Sequence, residues 1–293
     1  MKLFSEAMPF YRANFHCHTT CSDGRKPLAE AMQIYRDAGY DILAITDHKK
    51  LTVPEHVPDG LLWMPGIELD YNSAGIVTHL VGLGMDPAIE QTWDRSGTPQ
   101  DGIDLIVRMG GAAILAHPAW SLNTPAQINA LHGLSAVEIW NTVSALPHNA
   151  DRGDSSSLLD AAWATGGQLL PVVASDDTHF YDTDAAFAST MLQAESLSVE
   201  SVLDALRLGR FYATQGPEIR QIELIENREL IVHCSPADTV IFYSNTPSVK
   251  ERVRFGRGIT ESVYTIHPTD RFVRVEIRDA TGRKAWSSPV SVG

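Results

Sequence analysis

Residues Asn14–Gly24 read NFHCHTTCSDG. Ser22-Asp23-Gly24 is turn chemistry, so the stretch predicts a short strand over Asn14–Thr19 that runs into a turn. Side chains alternate across a strand, which puts His16 and His18 on one face and Cys17 on the other. Two imidazoles on one face can chelate a single metal ion, with Asp23 close behind them. His-x-His also begins many strands that bind nothing, so the other donors must come from elsewhere in the chain.

Working outward, strand-like and helix-like segments alternate as far as about residue 175. PLAEAMQIYRDAGY places Leu28, Ala31, Met32, Tyr35 and Ala38 on one helical face. DILAITDH is a buried-strand pattern, followed by LLWMPGIELD and IVTHLVGLG. PQDGIDLIVRMGG reads as a helix that stops at Gly110-Gly111 and feeds the strand AAILAHP. TPAQINALHG leads in the same way into LSAVEIWN, and SSSLLDAAWATGG into LLPVVASDD. Repeated units with near-continuous apolar strands imply parallel strands covered by helices.

After Thr178 the pattern changes. SVESVLDALRLGR is one more helix, with Ser198 as its N-cap. From Gly216 onward short alternating strands dominate, punctuated by Gly, Pro, Asn and Asp, and predict a small all-β sandwich. The expected division is an α/β unit over 1–215 and a β unit over 216–293. No tandem repeat appears, and neither the dinucleotide-binding nor the P-loop glycine pattern is present.

Donor residues recur at the ends of the predicted strands. His16 and His18 close the first, AITDH puts His48 beyond the second, and GIELD puts Glu68 at the end of the third. THLVGLG carries His79, AHP carries His117, and ASDDTH carries Asp176, Asp177 and His179. Six histidines are thus expected at the C-terminal tips of different strands. In a barrel those tips converge on one face, whereas an open sheet would spread them in a line. The convergence favours a barrel. Each donor alone has an ordinary explanation as a loop histidine, surface acid or turn former. Nine of them around one cavity would be costly to bury without cations.

Composition sets the outer bounds. The chain has 293 residues, 44% hydrophobic and 20% charged, which is the balance of a globular protein. No apolar run approaches the roughly 20 residues that span a bilayer. MKLFSEAMPFYRAN lacks the form of a signal peptide, so a cytoplasmic location is expected. A net charge of −13 with no basic run argues against nonspecific nucleic-acid or membrane binding. A phosphorylated small molecule remains compatible, because metal ions make a site locally positive. Cys17, Cys21 and Cys234 form no disulfide or zinc-finger pattern and are read as reduced.

FHCHTTCSDG, AITDH, GIELD, LAHP and SDDTH resemble, in order, the motif series of the PHP (polymerase and histidinol phosphatase) superfamily. The resemblance runs from Ala13 to Phe180. LGRFYATQGP and AWSSPVSV are similar to a branch in which the barrel carries a small β-domain. It implies a distorted (β/α)7 barrel with two to three divalent ions, of Zn, Mn or Fe, which mixed nitrogen and oxygen ligands suit. By position, His16, His18, Glu68 and Asp177 would hold the first ion. Glu68 would bridge to a second ion on His79 and His117, and Asp23, His48 and His179 would hold the third. Histidine often replaces Asp23 in the family, so the third ion would bind more weakly here. Asp176 stands where serine is common and is expected to support the site through hydrogen bonds.

The implied activity is a metal-dependent phosphoesterase acting on a small phosphorylated molecule or nucleotide. The nucleophile would be a hydroxide shared by the first two ions, with Asp177 as proton shuttle and His48 and His179 near the phosphate. The alternatives are a hydrolase of carboxylic or carbamic esters or amides, and a non-catalytic metal-binding module. Trp120 and Asn141 are expected to line the pocket, and the β unit to cover one side of the barrel.

Overall fold

A computed structural model describes residues 1–73 and 75–293. Its first part contains β1 (Phe10–Asn14), α1 (Leu28–Asp37), β2 (Ile42–Ile45), β3 (Leu62–Ser73) and β4 (Ile76–Leu83). It continues with α2 (Ile89–Thr92), α3 (Pro99–Arg108), β5 (Ala112–Leu115), α4 (Pro125–Asn129), β6 (Ala136–Asn141), α5 (Ser156–Ala164) and β7 (Val172–Ser175). Then come β8 (Ser189–Gln193), α6 (Val199–Leu208) and β9 (Phe211–Thr214). The last strands are β10 (Ile219–Ile225), β11 (Glu229–Ser244), β12 (Val253–Thr265), β13 (Phe272–Arg278), β14 (Lys284–Ser287) and β15 (Val290–Ser291).

Three four-residue strands of the first part are wholly enclosed. β2, β5 and β7 read ILAI, AAIL and VVAS, and every residue in them is buried, as expected of strands covered on both faces. The helices cover them by one face each. α1 buries Ala31, Met32 and Tyr35, and α3 buries Ile103, Leu105 and Ile106. α3 starts at a capping box between Thr98 and Asp101. It gives way to Gly110, whose φ of 84° only glycine adopts freely. Ser198 caps α6 by accepting the Ser201 N–H at 3.3 Å, as the sequence predicts.

The sheet is mixed rather than uniformly parallel. β1–β2, β2–β3, β5–β6 and β6–β7 pair in parallel. β3–β4 and β4–β5 are antiparallel, and so is β8 against β1. Only residues 74 and 75 separate β3 from β4, and a parallel crossover needs a dozen residues or more. A hairpin is therefore the only connection available there, which the expectation of repeated parallel units missed. Beyond their C-terminal ends, the segments after β1 and β7 meet. Cys17 bridges Thr178 in parallel, the His18 N–H donates to the Thr178 carbonyl at 3.0 Å, and the Asp177 N–H donates to the His16 carbonyl at 2.9 Å.

The C-terminal strands continue the same hydrogen-bonded ladder through β14–β9, β9–β8 and β8–β1. They have a core of their own, with Ile222, Val232, Val240, Phe242, Val275 and Ile277 at its centre. Side-chain contacts also hold them against the helices and strands of the first part, Lys284 with Asp154 among them. Arg274, fully buried, donates twice to Asp160 of α5 at 2.7 Å, and Trp286 stacks on Trp140 of β6 at 5.9 Å. Among the described residues, no helix is long and apolar enough to cross a membrane.

Candidate metal centre

β1 ends at Asn14, yet the chain stays extended through His18 because it is tied on both sides. Thr46 N–H donates to the Cys17 carbonyl at 2.8 Å, opposite the Thr178 contacts. Alternation then does what the sequence predicts. His16 and His18 turn inward and are fully buried, while Cys17 packs among Ala31, Met32 and Tyr35. The following turn is held by Asp47, whose carboxylate accepts Thr19 N–H, Thr19 Oγ1 and Ser22 Oγ, each at 2.7 Å. Gly24 is required in that turn, since a Cβ there would lie 2.2 Å from the His18 carbonyl oxygen.

Glu68 and His79 face each other across the β3–β4 hairpin. His79 Nδ1 lies 2.8 Å from Glu68 Oε1. Glu68 sits mid-strand, and His79 is near the start of β4 rather than at a C-terminal tip as expected. Because β4 runs antiparallel, its N-terminal half is the half that reaches the cluster. Glu68 is central. Its Oε1 also lies 3.3 Å from His117 Nε2, and its Oε2 lies 3.4, 3.2 and 3.1 Å from His16 Nε2, His18 Nε2 and His48 Nδ1.

Asp177 enters from the opposite side, with Oδ1 3.2 Å from His16 Nε2 and 3.1 Å from His18 Nε2. The extended backbone expected for Asp177–His179 is not what aims it. Asp177 has φ +54°, and His117 and Lys49 are likewise left-handed at +28° and +59°. Such conformations cost roughly 1–3 kcal/mol each and cluster at functional sites. Asp176 points away and is buried. It accepts Tyr35 Oη, Thr142 Oγ1 and the N–H groups of Ala186, Phe187 and Ala188 at 2.8–3.2 Å. At the mouth, half-exposed Asp23 lies 3.5 Å from His18 Nδ1 and from His179 Nε2, and 3.7 Å from His48 Nε2. The nine ligands that the resemblance implies therefore fall in one cluster, and Asp176 lies outside it.

The donor set fits divalent metal. His16 Nε2, His18 Nε2 and Asp177 Oδ1 are buried with no hydrogen-bond partner among the described residues. Ligands about 2.0–2.2 Å from one ion stand roughly 3.0–3.5 Å apart, and the distances from His16 Nε2 and His18 Nε2 to Asp177 Oδ1 and Glu68 Oε2 fall in that range. Four overlapping groups of this kind can be drawn: His16/His18/Glu68, His16/His117/Asp177, Glu68/His79/His117 and His18/Asp23/His48/His179.

No protein-family model matches the sequence, and no curated protein matches it. Solved structures do match. A two-domain protein from Bacteroides vulgatus containing a predicted PHP-like metal-dependent phosphoesterase aligns over 94% of this chain and 92% of its own, at TM-score 0.55 and 16% identity. PsfC from Pseudomonas syringae aligns over 68% of this chain and 90% of its own, at TM-score 0.51 and 14% identity. The chain therefore shares its fold with these structures, a PHP-like one among them.

Within this fold, the imidazoles and carboxylates of the cluster shift one another's protonation. Burial opposes charge on His16, but Asp177, Glu68 and Glu138 outweigh it and hold the imidazole well above its usual range. His18 is raised to about 9 against its own burial by Asp177 and Glu68. Burial would raise Glu68 and Asp177, yet the surrounding histidines drive both well below the ordinary carboxylate range. A metal would take over the positive charge that these imidazoles now supply.

Several positioning residues escaped the sequence reading. Glu138 accepts from His16 Nδ1 at 2.9 Å and from the His117 N–H at 2.8 Å. Its signal was an acid inside the otherwise apolar strand AVEIWN. Asp184 accepts the N–H groups of His179, Phe180 and Tyr181 at 2.6–2.9 Å and so fixes the loop that carries His179. A cavity of about 290 Å³ opens over the donors. Trp120 lines it as expected, whereas Asn141 supports it by donating to Glu138 at 2.8 Å and Asp177 at 3.2 Å.

Proposed function

We propose that this chain is a metal-dependent hydrolase of small phosphate esters. The observation that carries the reading is Glu68, whose two oxygens face two separate histidine sets, with Asp177 completing the set formed by His16 and His18. His16, His18, Glu68 and Asp177 would hold one ion. Glu68, His79 and His117 would hold a second, and Asp23, His48 and His179 a third, with Zn, Mn or Fe all compatible with the donors.

Bound ions would acidify water and clamp phosphoryl oxygens. In the reaction, a water oxygen forms the new bond to phosphorus and the bond from phosphorus to the ester oxygen breaks. Asp177, whose Oδ1 faces both His16 and His18, accepts a proton from that water. The leaving oxygen takes up a proton, giving alcohol and phosphate. His179 and His48, held around Asp23 at the mouth, keep the phosphoryl group in line. The distorted (β/α)7 barrel, the units 1–215 and 216–293, and the role of the second unit as cover belong to the same proposal.

A second reading has one observation in its favour. No Lys or Arg is among the described lining residues of the cavity, which suits a neutral carbonyl substrate as well as a phosphate neutralised by metal. A screen of metal-loaded protein over phosphate esters, carboxylic esters and amides separates the two. Turnover confined to the carbonyl compounds would replace the first reading with the second.

A further inference from the structure

The cavity over the donors has two unlike parts. Its floor is the cluster itself. Its wall is built from three successive strand-end loops and consists of Trp120 after β5, Val143, Ser144, His148 and Asn149 after β6, and Phe180 after β7. None of these six side chains is a donor in the cluster, and two of them are aromatic carbon surfaces.

Both rings are held in place before any ligand arrives. Trp120 Nε1 donates to Asn149 Oδ1 at 3.2 Å, and the indole meets the His117 ring edge-on at 4.9 Å. Asn149 in turn donates to the Val143 carbonyl at 2.9 Å, so its amide is committed at both ends. Phe180 has the Arg25 guanidinium over its face at 4.4 Å and His148 edge-on at 5.2 Å, while its own N–H is fixed by Asp184. A wall of locked aromatic carbon with its amide already paired offers stacking surface.

On the opposite flank, a separate polar cavity shares Asp23, His48 and His79 with the first and contains Lys49, Ser22 and Asp70. Lys49 is paired there with Asp70 at 2.9 Å. Lys49 thus belongs to this second cavity and is committed to Asp70 there.

We infer that the Trp120–Phe180 wall is the leaving-group subsite, and that it takes a single flat, uncharged ring attached to the phosphoryl group. The inference rests on the phosphoester reading only in placing the phosphoryl group over the donors. At about 290 Å³ the cavity lies near the small end of ligand pockets, which fits one ring better than a chain of linked units. Aromatic faces stack on a flat ring with a preference that a puckered ring of similar bulk does not share.

The test uses benzyl phosphonate and cyclohexylmethyl phosphonate, which have the same charge and similar bulk but differ in flatness. Binding of each to metal-loaded protein is measured calorimetrically for the wild type, Trp120→Leu, Trp120→Phe and Phe180→Leu, with metal content checked in each. The benzyl compound is expected to bind about tenfold tighter to the wild type. That advantage should fall in Trp120→Leu and Phe180→Leu and be retained by Trp120→Phe. Equal binding of the two compounds to the wild type overturns the subsite, and hydrolysis of benzyl phosphate would then leave the phosphoester reading standing. An advantage that persists in both leucine variants also overturns the subsite. If neither phosphonate binds and no phosphate ester is hydrolysed, both the subsite and the phosphoester reading fall.

Discussion

His16 Nδ1 lies 2.9 Å from Glu138 Oε1, and the other oxygen of Glu138 receives the His117 N–H at 2.8 Å. A carboxylate only accepts, so His16 carries a proton on Nδ1 and presents Nε2 to Asp177 and Glu68, where loss of the Nε2 proton would free a lone pair for metal. One buried acid therefore sets the orientation of one donor and the backbone of another. We predict that Glu138→Gln lowers affinity for the tightest ion about 10- to 100-fold, the usual cost of losing such a partner. Metal titration checks this, with circular dichroism confirming the fold, and unchanged affinity would show that Glu138 is merely structural.

Glu68 serves histidines on both sides, whereas Asp23 touches only the group at the mouth. Glu68→Ala should therefore remove two ions together, and Asp23→Ala should weaken one. Elemental analysis of the two variants after identical metal loading measures this directly. Equal single-ion losses would contradict the bridging role.

The doubled acid separates two functions by one residue. Asp177→Asn is expected to deplete metal and abolish turnover, because Asp177 Oδ1 faces both His16 and His18. Asp176→Asn should leave metal bound but destabilise the fold by about 1–3 kcal/mol, since an amide nitrogen would replace one acceptor among five donors. Denaturation midpoints and metal content distinguish them. A metal-depleted Asp176→Asn would overturn the assignment.

The acid positions also show what was legible in advance. The nine His, Asp and Glu side chains that the structure groups together are named in the sequence reading, because His and Asp/Glu at strand ends are conspicuous and the order of the motifs is specific. Their aim was harder to read. Asp177 faces the cluster through a left-handed backbone rather than by strand alternation, and His79 does so because β4 reverses direction after a two-residue connection. Local pattern carries periodicity, but strand direction and positive φ are decided by tertiary contacts. Glu138 and Asp184 were missed for a related reason. A supporting acid has no spacing rule of its own, only a partner that becomes adjacent on folding.

Protonation supplies another test. In metal-stripped protein His18 is raised to about 9, above its unfolded value near 6.5. Its contribution to stability is therefore complete below about 6.5 and is lost as pH rises through about 9. Asp177 and Glu68 are depressed, so their contribution is present above about pH 4 and is lost on acidification. Metal binds neutral imidazole and gains affinity over the same alkaline window. The rise in Tm on adding excess Mn should thus be larger at about pH 8.5 than at about 6.5. An equal or smaller rise would contradict this linkage.

Metal content and turnover measured on one preparation test the central claim most directly. Protein purified without chelator is expected to carry two to three divalent ions per chain and to hydrolyse a phosphate monoester. Both should be lost on chelation and restored by Zn, Mn or Fe. Fewer than one ion per chain, or hydrolysis that survives complete removal of metal, would contradict the account.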